Sequence, residues 1–235
     1  AQTPNVDAKI QDGIIAAVAV KDRRAVLGWR FIRRIEATID KTAVTIDGTD
    51  LGDPPVQGYP APGDTTSIVA LLDIGDPRRV EQIQRGKLAM LLMRESALPH
   101  HRLAFAIYGL EGNLLSPAED TPQSMTNLLM QVRPINEPSN LSGAIVHSIR
   151  TLEKLQTSRR AIFVLTDGHN DGSIDLAAVR DLAVTTGVVV NILLFPGDRP
   201  ANLDVLEQTV VATGGQMVRP EALVTFLASP FLAID

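Results

Sequence analysis

Four short apolar runs, each bounded by turn residues, mark the chain from Thr65 onward. They are Ser67–Leu72, Leu103–Tyr108, Ala161–Thr166 and Val188–Phe195. A strand that is buried on both faces has this continuous apolar composition, because helices cover both sides of a parallel sheet. The four runs therefore predict four strands of a central parallel sheet.

Helical patterns lie between these runs. One apolar face follows steps of four and three residues, as a 3.6-residue period requires, at Leu141, Ile145, Ile149, Leu152 and Leu155. Pro77–Glu95 is a second predicted helix, and its nearly all-apolar stretch Leu88–Met93 indicates deep packing. Ser173–Thr186 and Leu203–Thr213 complete the alternation. Strands that alternate with helices predict the α/β class, with a doubly wound, mostly parallel sheet flanked by helices.

The first fifty residues have a different texture. Ile14–Val20 is apolar, and Ala37–Ile46 alternates before the turn pair Asp47-Gly48, which is typical of strands. Residues 51–64 contain four prolines and three glycines, a composition typical of a linker. The expected organisation is a small β-rich N-terminal extension at residues 1–50, a linker at 51–64 and an α/β domain at 65–235.

Composition narrows the classes of function. The 235 residues are 45% hydrophobic, which is enough for a full core. A net charge of −5 and an aromatic content of 4% argue against a nucleic-acid partner. The basic residues of Lys21–Arg24 and Arg30–Arg34 are typical of a solvated face. The chain has no cysteine, which excludes disulfides and thiolate metal sites.

The sequence gives weak indications of location. No apolar run approaches the roughly 20 residues that a membrane-spanning helix needs. The first residues, Ala1-Gln2-Thr3-Pro4, fit either a trimmed chain or the removal of a signal peptide after a small residue. Removal of a signal peptide would make the protein periplasmic or extracellular, and a cytoplasmic location is the alternative.

Two carboxylates follow strand-like runs. Asp73 and Asp167 each close an apolar run and are followed at once by loop residues, Ile74–Pro77 and Gly168–Gly172. In an open parallel sheet, ligands bind in the crevice beyond the carboxyl ends of the strands. Two acids at that edge can hold a divalent cation or polarise a water.

Four segments, taken in order, resemble a von Willebrand factor type A (vWA) domain, over about Thr65 to about Leu227. They are SIVALLD at 67–73, LAFAIYG at 103–109, PSNLSGA at 138–144 and AIFVLTDG at 161–168. The resemblance implies a protein-binding module with a metal-ion-dependent adhesion site at the top of the sheet. That site is built from Asp-x-Ser-x-Ser after the first strand, a threonine in a middle loop and an aspartate after the fourth strand. An acidic residue of the partner completes the coordination of the metal.

The motif matches only in part. Asp73 and Asp167 take the two acidic positions, and Ser139 takes the threonine position. Gly75 and Pro77 replace the two serines, so two of five protein ligands are missing, with Asp76 as a substitute. Because Mg²⁺ demands near-octahedral oxygen coordination, we expect a degenerate site that binds Mg²⁺ or Ca²⁺ weakly or has lost the metal. The resemblance assigns protein binding to loop residues at Asp76, Asn140, His169, Asn170 and Asp171.

The same loop residues also have a purely structural interpretation. Asp76 followed by Pro77 is a favourable helix start, with an acidic N-cap and then proline at the first helical position. Gly75 permits a tight turn into it. Ser139 fits either a metal ligand or a cap of the helix that begins near Asn140, and the sequence leaves both interpretations open.

Other chemistry at the second loop is not favoured. As an EF-hand, the loop from Asp167 has histidine at its third position and Ala178 at its twelfth, so that motif fails. Asp167, His169 and Asp171 lie too close in sequence for a tetrahedral zinc site. The favoured interpretation of His169 is a solvated histidine in a surface loop.

Signatures of common enzymes are also missing. The chain has no Gly-x-Ser-x-Gly elbow, no Gly-x-Gly-x-x-Gly and no Walker lysine loop.

Three functions remain as hypotheses. The first is a non-enzymatic, vWA-like protein-binding module within an exported or envelope complex. The second is a metal-assisted hydrolase that uses Asp73, Asp76 and Asp167 around one cation, with His169 as general base. The third is an assembly element whose β-rich extension pairs with a neighbour through an exposed strand edge.

Overall fold

A computed structural model describes residues 13–21, 24–31, 45–46, 48–50, 52, 58–110, 112–116, 122–195, 202–222 and 225–226. The chain forms two compact units, divided between Gly58 and Tyr59. Among the described residues, no helix is long and apolar enough to cross a membrane.

The first unit contains short antiparallel strand pairs. Strands β1 (Gly13–Lys21) and β2 (Arg24–Phe31) form a hairpin with an irregularity between Ile15 and Ala17. Strands β3 (Thr45–Ile46) and β4 (Thr49–Asp50) form a second pair. The predicted strand Ile14–Val20 lies within β1, whereas residues 37–44 of the other predicted strand lie outside the described residues.

The second unit alternates strands and helices. In chain order its elements are β5 (Thr66–Asp73), α1 (Val80–Glu95), β6 (His101–Tyr108), β7 (Gly112–Ser116), α2 (Pro122–Gln131), α3 (Leu141–Glu153), β8 (Arg159–Thr166), α4 (Leu176–Thr186), β9 (Val188–Leu194), α5 (Leu203–Thr213) and β10 (Met217–Val218). Short 3₁₀ turns occur at Pro77–Arg79 and Pro220–Ala222. The sheet order is β10-β9-β8-β5-β6-β7, with five parallel strands and an antiparallel β7 at one edge.

Both faces of the sheet are buried, as the continuous apolar runs predicted. Residues of β5 alternate between the two faces: Ile68 and Leu72 belong to one core cluster with α1 and α2, and Val69 and Leu71 belong to the other with α3, α4 and α5. All eight residues of β5 are buried. The predicted doubly wound, mostly parallel sheet is therefore confirmed.

The order of the strands fixes where a ligand crevice can form. From β5 the chain crosses through α1 to β6 on one side, and from β8 it crosses through α4 to β9 on the other side. The direction of winding therefore reverses between β5 and β8, and the crevice lies beyond their carboxyl ends. Asp73 ends β5 and Asp167 follows β8, so both acids stand at this reversal.

Helix α1 departs from its predicted environment. The stretch Leu88–Met93 was predicted to be deeply packed, but Leu88 is 58% exposed, while Ala89, Met90 and Met93 are buried. Lys87 is buried instead, and its Nζ donates to the carbonyl of Val132 at 2.7 Å. Burial lowers the pKa of Lys87, and the nearby positive charge of Arg133 adds to this effect.

Smaller differences concern the ends of helices. Helix α4 begins at Leu176 and not at Ser173, because the side chain of Asp175 accepts a hydrogen bond from the backbone N–H of Ala177 and caps the helix there. Helix α3 ends at Glu153, so Leu155 lies beyond the helix and is exposed.

The last part of the predicted linker, from Tyr59 onward, belongs to the second unit. The carboxylate of Asp64 accepts hydrogen bonds from the hydroxyl of Ser158 at 2.6 Å and from the backbone N–H of Ala61 at 2.9 Å. The guanidinium of Arg159 lies 3.6 Å from the centre of the Tyr59 ring. The segment that enters β5 is therefore attached to the start of β8.

Candidate functional site

Three loops meet at the carboxyl edge of the sheet. The loop after β5 joins the loop before α3, because the backbone N–H of Ile135 donates to the carbonyl of Ile74 at 2.9 Å. The loop before α3 joins the loop after β8, where the N–H of Asp171 donates to the carbonyl of Ser139 at 2.8 Å. Together they line an open cleft of about 730 Å³.

Asp73 lies buried behind residues that line this cleft, with 1% of its surface exposed. Its Oδ1 accepts hydrogen bonds from the hydroxyl of Ser139 at 2.7 Å and the backbone N–H of Gly75 at 3.0 Å. Its Oδ2 accepts from the hydroxyl of Thr166 at 3.1 Å and from Nη1 of Arg79 at 3.2 Å. Both oxygens therefore have two donors each, which a buried carboxylate needs in place of water.

Arg79 joins the two acids that the sequence singled out. Its Nη1 lies 3.2 Å from Oδ2 of Asp73 and 2.9 Å from Oδ2 of Asp167. Its Nε lies 3.7 Å from Oδ2 of Asp76. The Arg79 side chain is 17% exposed, so this is a largely desolvated ion cluster with one guanidinium at its centre.

Asp167 stands closer to solvent than Asp73. Its Oδ1 accepts from the backbone N–H of His169 at 3.0 Å, and its Oδ2 lies 3.0 Å from Nδ1 of His169. The His169 side chain is 56% exposed. The structure therefore brings Asp73, Asp76 and Asp167 together around Arg79 and places His169 on the outer rim.

The structural interpretation of Asp76 and Pro77 is confirmed. Asp76 is the N-cap of the 3₁₀ turn that leads into α1, its side chain accepts from the N–H of Arg78 at 2.8 Å, and Pro77 is at the start of the turn. The side-chain hydrogen bond from Arg78 is the main cause that lowers the pKa of Asp76, and the backbone hydrogen bond adds to it.

Ser139 does not cap α3, so that one of its two interpretations is wrong. The cap is Asn140, whose Oδ1 accepts from the N–H of Gly143 at 2.9 Å. Ser139 is buried and its hydroxyl is used on Asp73 instead. Ser139 lies one residue before the cap, and its side chain points toward Asp73. The neighbouring residues Ser139 and Asn140 therefore have different roles.

Several residues assigned to partner binding also hold the loops together. The Nδ2 of Asn140 donates to the carbonyl of Leu110 at 3.2 Å, in addition to the cap. The Oδ1 of Asn170 accepts from the N–H groups of Ser142 and Gly172 at 3.0 and 3.2 Å. These amides therefore serve the loop framework.

Asp171 is exposed, yet it also takes part in this framework. Its Oδ2 accepts from the N–H of Ser139 at 3.1 Å. One oxygen of Asp171 is thus engaged inside the loop, while the residue itself faces solvent on the rim.

Tyr108 extends the buried end of the cluster. It ends β6 in register with Asp73 and is 1% exposed. Burial raises the pKa of Tyr108 well above its ordinary value, and the negative charge of Asp73 adds to this effect. The phenol therefore stays neutral beside the carboxylate.

The sequence interpretation missed Arg79 and Thr166 as members of the site. A signal for Arg79 was present: Arg78 and Arg79 directly follow Pro77 at the start of a helix, and no acid occupies that turn. Cations are unfavourable at the positive end of a helix dipole, so they indicate that nearby carboxylates hold them there. No feature of the sequence indicated that Thr166 belongs to the site, because it is simply the last residue of a predicted strand.

No protein-family model and no curated protein sequence matches this chain. Solved structures do. An aerotolerance-related membrane protein from Bacteroides fragilis is 16% identical with a TM-score of 0.59, over 70% of this chain and 96% of that one. A von Willebrand factor type A structure from Catenulispora acidiphila is 11% identical with a TM-score of 0.62, over 72% of this chain and 42% of that one.

A third similar structure contains a metal. Proximal thread matrix protein 1 from the mussel byssus, with a zinc-occupied metal-ion-dependent adhesion motif, is 12% identical with a TM-score of 0.53, over 72% of this chain and 45% of that one. At these identities the similarity establishes the fold. The second unit has the fold of a vWA domain.

The side chains of this chain do not fit a divalent cation in that position. Within the described residues, no group of three or more histidines and acids is arranged to hold a metal. The two acids that would ligate it, Asp73 and Asp167, already share the guanidinium of Arg79. Where the motif has its first serine, a Cβ on Gly75 would collide with the hydroxyl oxygen of Ser139.

Proposed function

We propose that the vWA-fold unit is a non-enzymatic protein-binding module whose contact surface is the cleft at the carboxyl edge of the sheet, with a divalent-metal site that is weakened or lost. The observation that carries this proposal is the cleft itself. Three loops form its walls, and the residues on its rim are exposed while Asp73 and Asp167 beneath them share the guanidinium of Arg79. A rigid floor with an exposed, polar rim suits recognition of a folded partner.

The rim supplies groups that a partner can contact without disturbing the floor. Arg78, Glu137 and His169 line the cleft and are exposed. The side chain of Arg78 is 89% exposed. We propose these three residues, with Asp76 and Asp171, as the contact surface, because the amides of Asn140 and Asn170 serve the loops.

The charges of the lining favour a partner that presents basic groups. Four carboxylates line the cleft, at Asp76, Glu137, Asp167 and Asp171, against two guanidinium groups at Arg78 and Arg79. Complementary charge raises the rate of association and selects among partners, and salt screens it. We therefore expect binding to weaken as the ionic strength rises.

The cellular setting is also a proposal. The similar Bacteroides fragilis structure is that of an aerotolerance-related membrane protein. This supports a place for our chain in an exported or envelope complex. A periplasmic or extracellular location is consistent with that setting, and the β-rich first unit is a candidate second contact within it.

The metal-assisted hydrolase is not favoured by the geometry. That mechanism needs an open coordination position between Asp73 and Asp167, and Arg79 lies there. A screen for phosphatase and esterase turnover with added divalent metal tests this directly. Turnover that Asp167→Asn abolishes would establish the hydrolase.

Affinity capture from the native cell envelope tests the proposed function. The full chain serves as bait and is compared with a Glu137→Lys, His169→Ala double variant, which changes two rim residues. We expect the wild-type chain to retain a specific partner and the rim variant to lose at least about tenfold in affinity, as charge reversal at an interface typically does.

A matched control separates the rim from a general effect of charge. The Glu95→Lys, His147→Ala double variant changes the same residue types at exposed positions on α1 and α3, away from the cleft lining. It should bind as the wild type does. Equal binding by the rim variant and the wild type would overturn the assignment of the surface.

A further inference from the structure

We propose that the guanidinium of Arg79 is the resident cation of this site, and that it excludes a divalent metal from the space between Asp73 and Asp167. One Nη1 atom lies within 3.2 Å of Asp73 and 2.9 Å of Asp167. A single positive group that contacts both acids occupies the place where one shared metal ion would have to lie. The inference deepens the proposed loss of the metal site but does not rest on protein binding.

The carboxylate oxygens that contact Arg79 are already engaged. On Asp73, Oδ2 accepts from Thr166 and Arg79, and Oδ1 accepts from Ser139 and Gly75. A hard divalent cation must gather about six oxygens at short distances and gives up its own water reluctantly. Metal entry would therefore require Arg79 to leave and the hydrogen bonds around Asp73 to be rearranged.

The packing around Gly75 opposes a serine metal ligand at this position. A Cβ at this position would collide with Oγ of Ser139 and approach the carbonyl oxygen of Glu137 to 3.0 Å. Because Gly75 has no side chain, Ser139 can come within 2.7 Å of Asp73. Gly75 and Ser139 are thus packed for a hydrogen-bonded carboxylate, and a serine ligand cannot be added without moving that contact.

Local structure fixes Arg79 in place. The 3₁₀ turn Pro77–Arg79 follows the Asp76 cap, and Nε of Arg79 lies 3.7 Å from that cap. Arg78 extends outward and pairs with Asp76 at 2.7 Å. The two adjacent arginines therefore have separate roles, one in the ion cluster and one at the surface.

A direct consequence is that the cleft keeps its shape without metal. A guanidinium that is part of the chain cannot be removed by a chelator, whereas a bound ion can. The floor formed by Asp73, Arg79 and Asp167 is then permanent, and any binding at the rim should be insensitive to chelation and to added Mg²⁺.

Thermal unfolding tests the proposal. The full wild-type chain and its Arg79→Ala variant are each measured with and without Mn²⁺ or Mg²⁺. We expect no change of Tm for the wild type in millimolar metal. In chelator, Arg79→Ala should melt roughly 10 °C lower, because it leaves two uncompensated acids. Millimolar Mn²⁺ should restore roughly 5 °C of that loss, because the vacated space accepts the ion.

Two variants keep the test interpretable. Arg78→Ala removes the neighbouring arginine and should show neither the fall in Tm nor the response to Mn²⁺. If Arg79→Ala does not fold, Arg79→Gln carries the same test, since it removes the charge and keeps a hydrogen-bonding side chain. Calorimetric titration of each protein with Mn²⁺ gives the second readout, with heat expected from the Arg79 variants alone.

Three results would overturn the proposal. One is a rise in the Tm of the wild type with metal, another is a metal-free Arg79 variant as stable as the wild type, and the third is an Arg79 variant that Mn²⁺ neither stabilises nor binds. None of these outcomes depends on a partner. A failure to capture a partner would reject the proposed function and leave this inference standing.

Discussion

At the scale of single residues, the site follows from how one buried carboxylate is satisfied. Asp73 is 1% exposed, so hydrogen-bond donors must take the place of water around its side chain, and the chain supplies four, from Gly75, Ser139, Thr166 and Arg79. The sequence identified Asp73 and Asp167, because each follows an apolar run. It could not show that Arg79, which is six residues past Asp73, folds back across both.

Gly75→Ala tests the tight packing beside Asp73. The new Cβ would collide with Ser139, which the backbone of the loop holds in place. We expect a loss of about 1–3 kcal/mol in the free energy of unfolding, as for other overpacked sites. Urea denaturation measures it.

The matched control for this change is Gly58→Ala. A Cβ at Gly58 has no atom within 4 Å, so this variant should keep the wild-type midpoint. A Gly75→Ala protein as stable as the Gly58→Ala protein would show that Ser139 is not packed tightly against Gly75.

At the scale of elements, the sequence pattern predicted the central strands but not the edge strand β7 or the packing of α1. The apolar runs correctly predicted β5, β6, β8 and β9, because a strand that is buried on both faces consists almost entirely of apolar residues. The short strand β7 was missed, since five residues at an antiparallel edge form no long run. On α1 the stretch Leu88–Met93 is nearly all apolar, so the sequence did not indicate which of its side chains would be buried. The amine of Lys87 shows that a polar group can be buried where it donates a hydrogen bond to a backbone carbonyl.

The contact between the entry to β5 and the start of β8 predicts a pH dependence of stability. The hydrogen bond from Ser158 is the main cause that lowers the pKa of Asp64 below its ordinary value, and the N–H of Ala61 adds to it. A carboxylate with a lowered folded pKa stabilises the protein above its unfolded pKa of about 3.9, and this stabilisation is lost as the pH falls below it. Ser158→Ala should therefore cost about 1 kcal/mol near pH 7.

Urea denaturation of the wild type and Ser158→Ala across the acid range checks this expectation. The difference between the two proteins should shrink as the pH falls below the unfolded pKa of about 3.9 and Asp64 becomes protonated. A difference that stays constant with pH would mean that the hydroxyl of Ser158 stabilises the protein in some way other than through the charge of Asp64.

At the scale of the whole molecule, the chain divides into two compact units between Gly58 and Tyr59. Among the described residues, the two large core clusters consist of residues from Ile68 onward. The resemblance of segments after Thr65 to a vWA domain gave the fold of this unit correctly. The similar structures establish that fold, while the partner depends on rim side chains that no fold pattern encodes.

Two truncations test this division. A fragment of residues 59–235 should unfold cooperatively on its own, because it keeps both cores and the contacts of Tyr59 and Asp64. A fragment of residues 65–235 loses those contacts and should be less stable by about 1–2 kcal/mol. Circular dichroism during thermal unfolding distinguishes them, and an unfolded longer fragment would mean that the first unit is needed for the second to fold.

The central claim is that a guanidinium, and not a metal, joins the two acids on the floor of the cleft. The most direct measurement is a crystal structure of the full chain soaked in millimolar Mn²⁺, with anomalous diffraction recorded for manganese. We expect the Arg79 side chain between Asp73 and Asp167 and no anomalous peak beside them. An anomalous peak bound by Asp73, Ser139 and Asp167, with Arg79 displaced toward solvent, would contradict the claim.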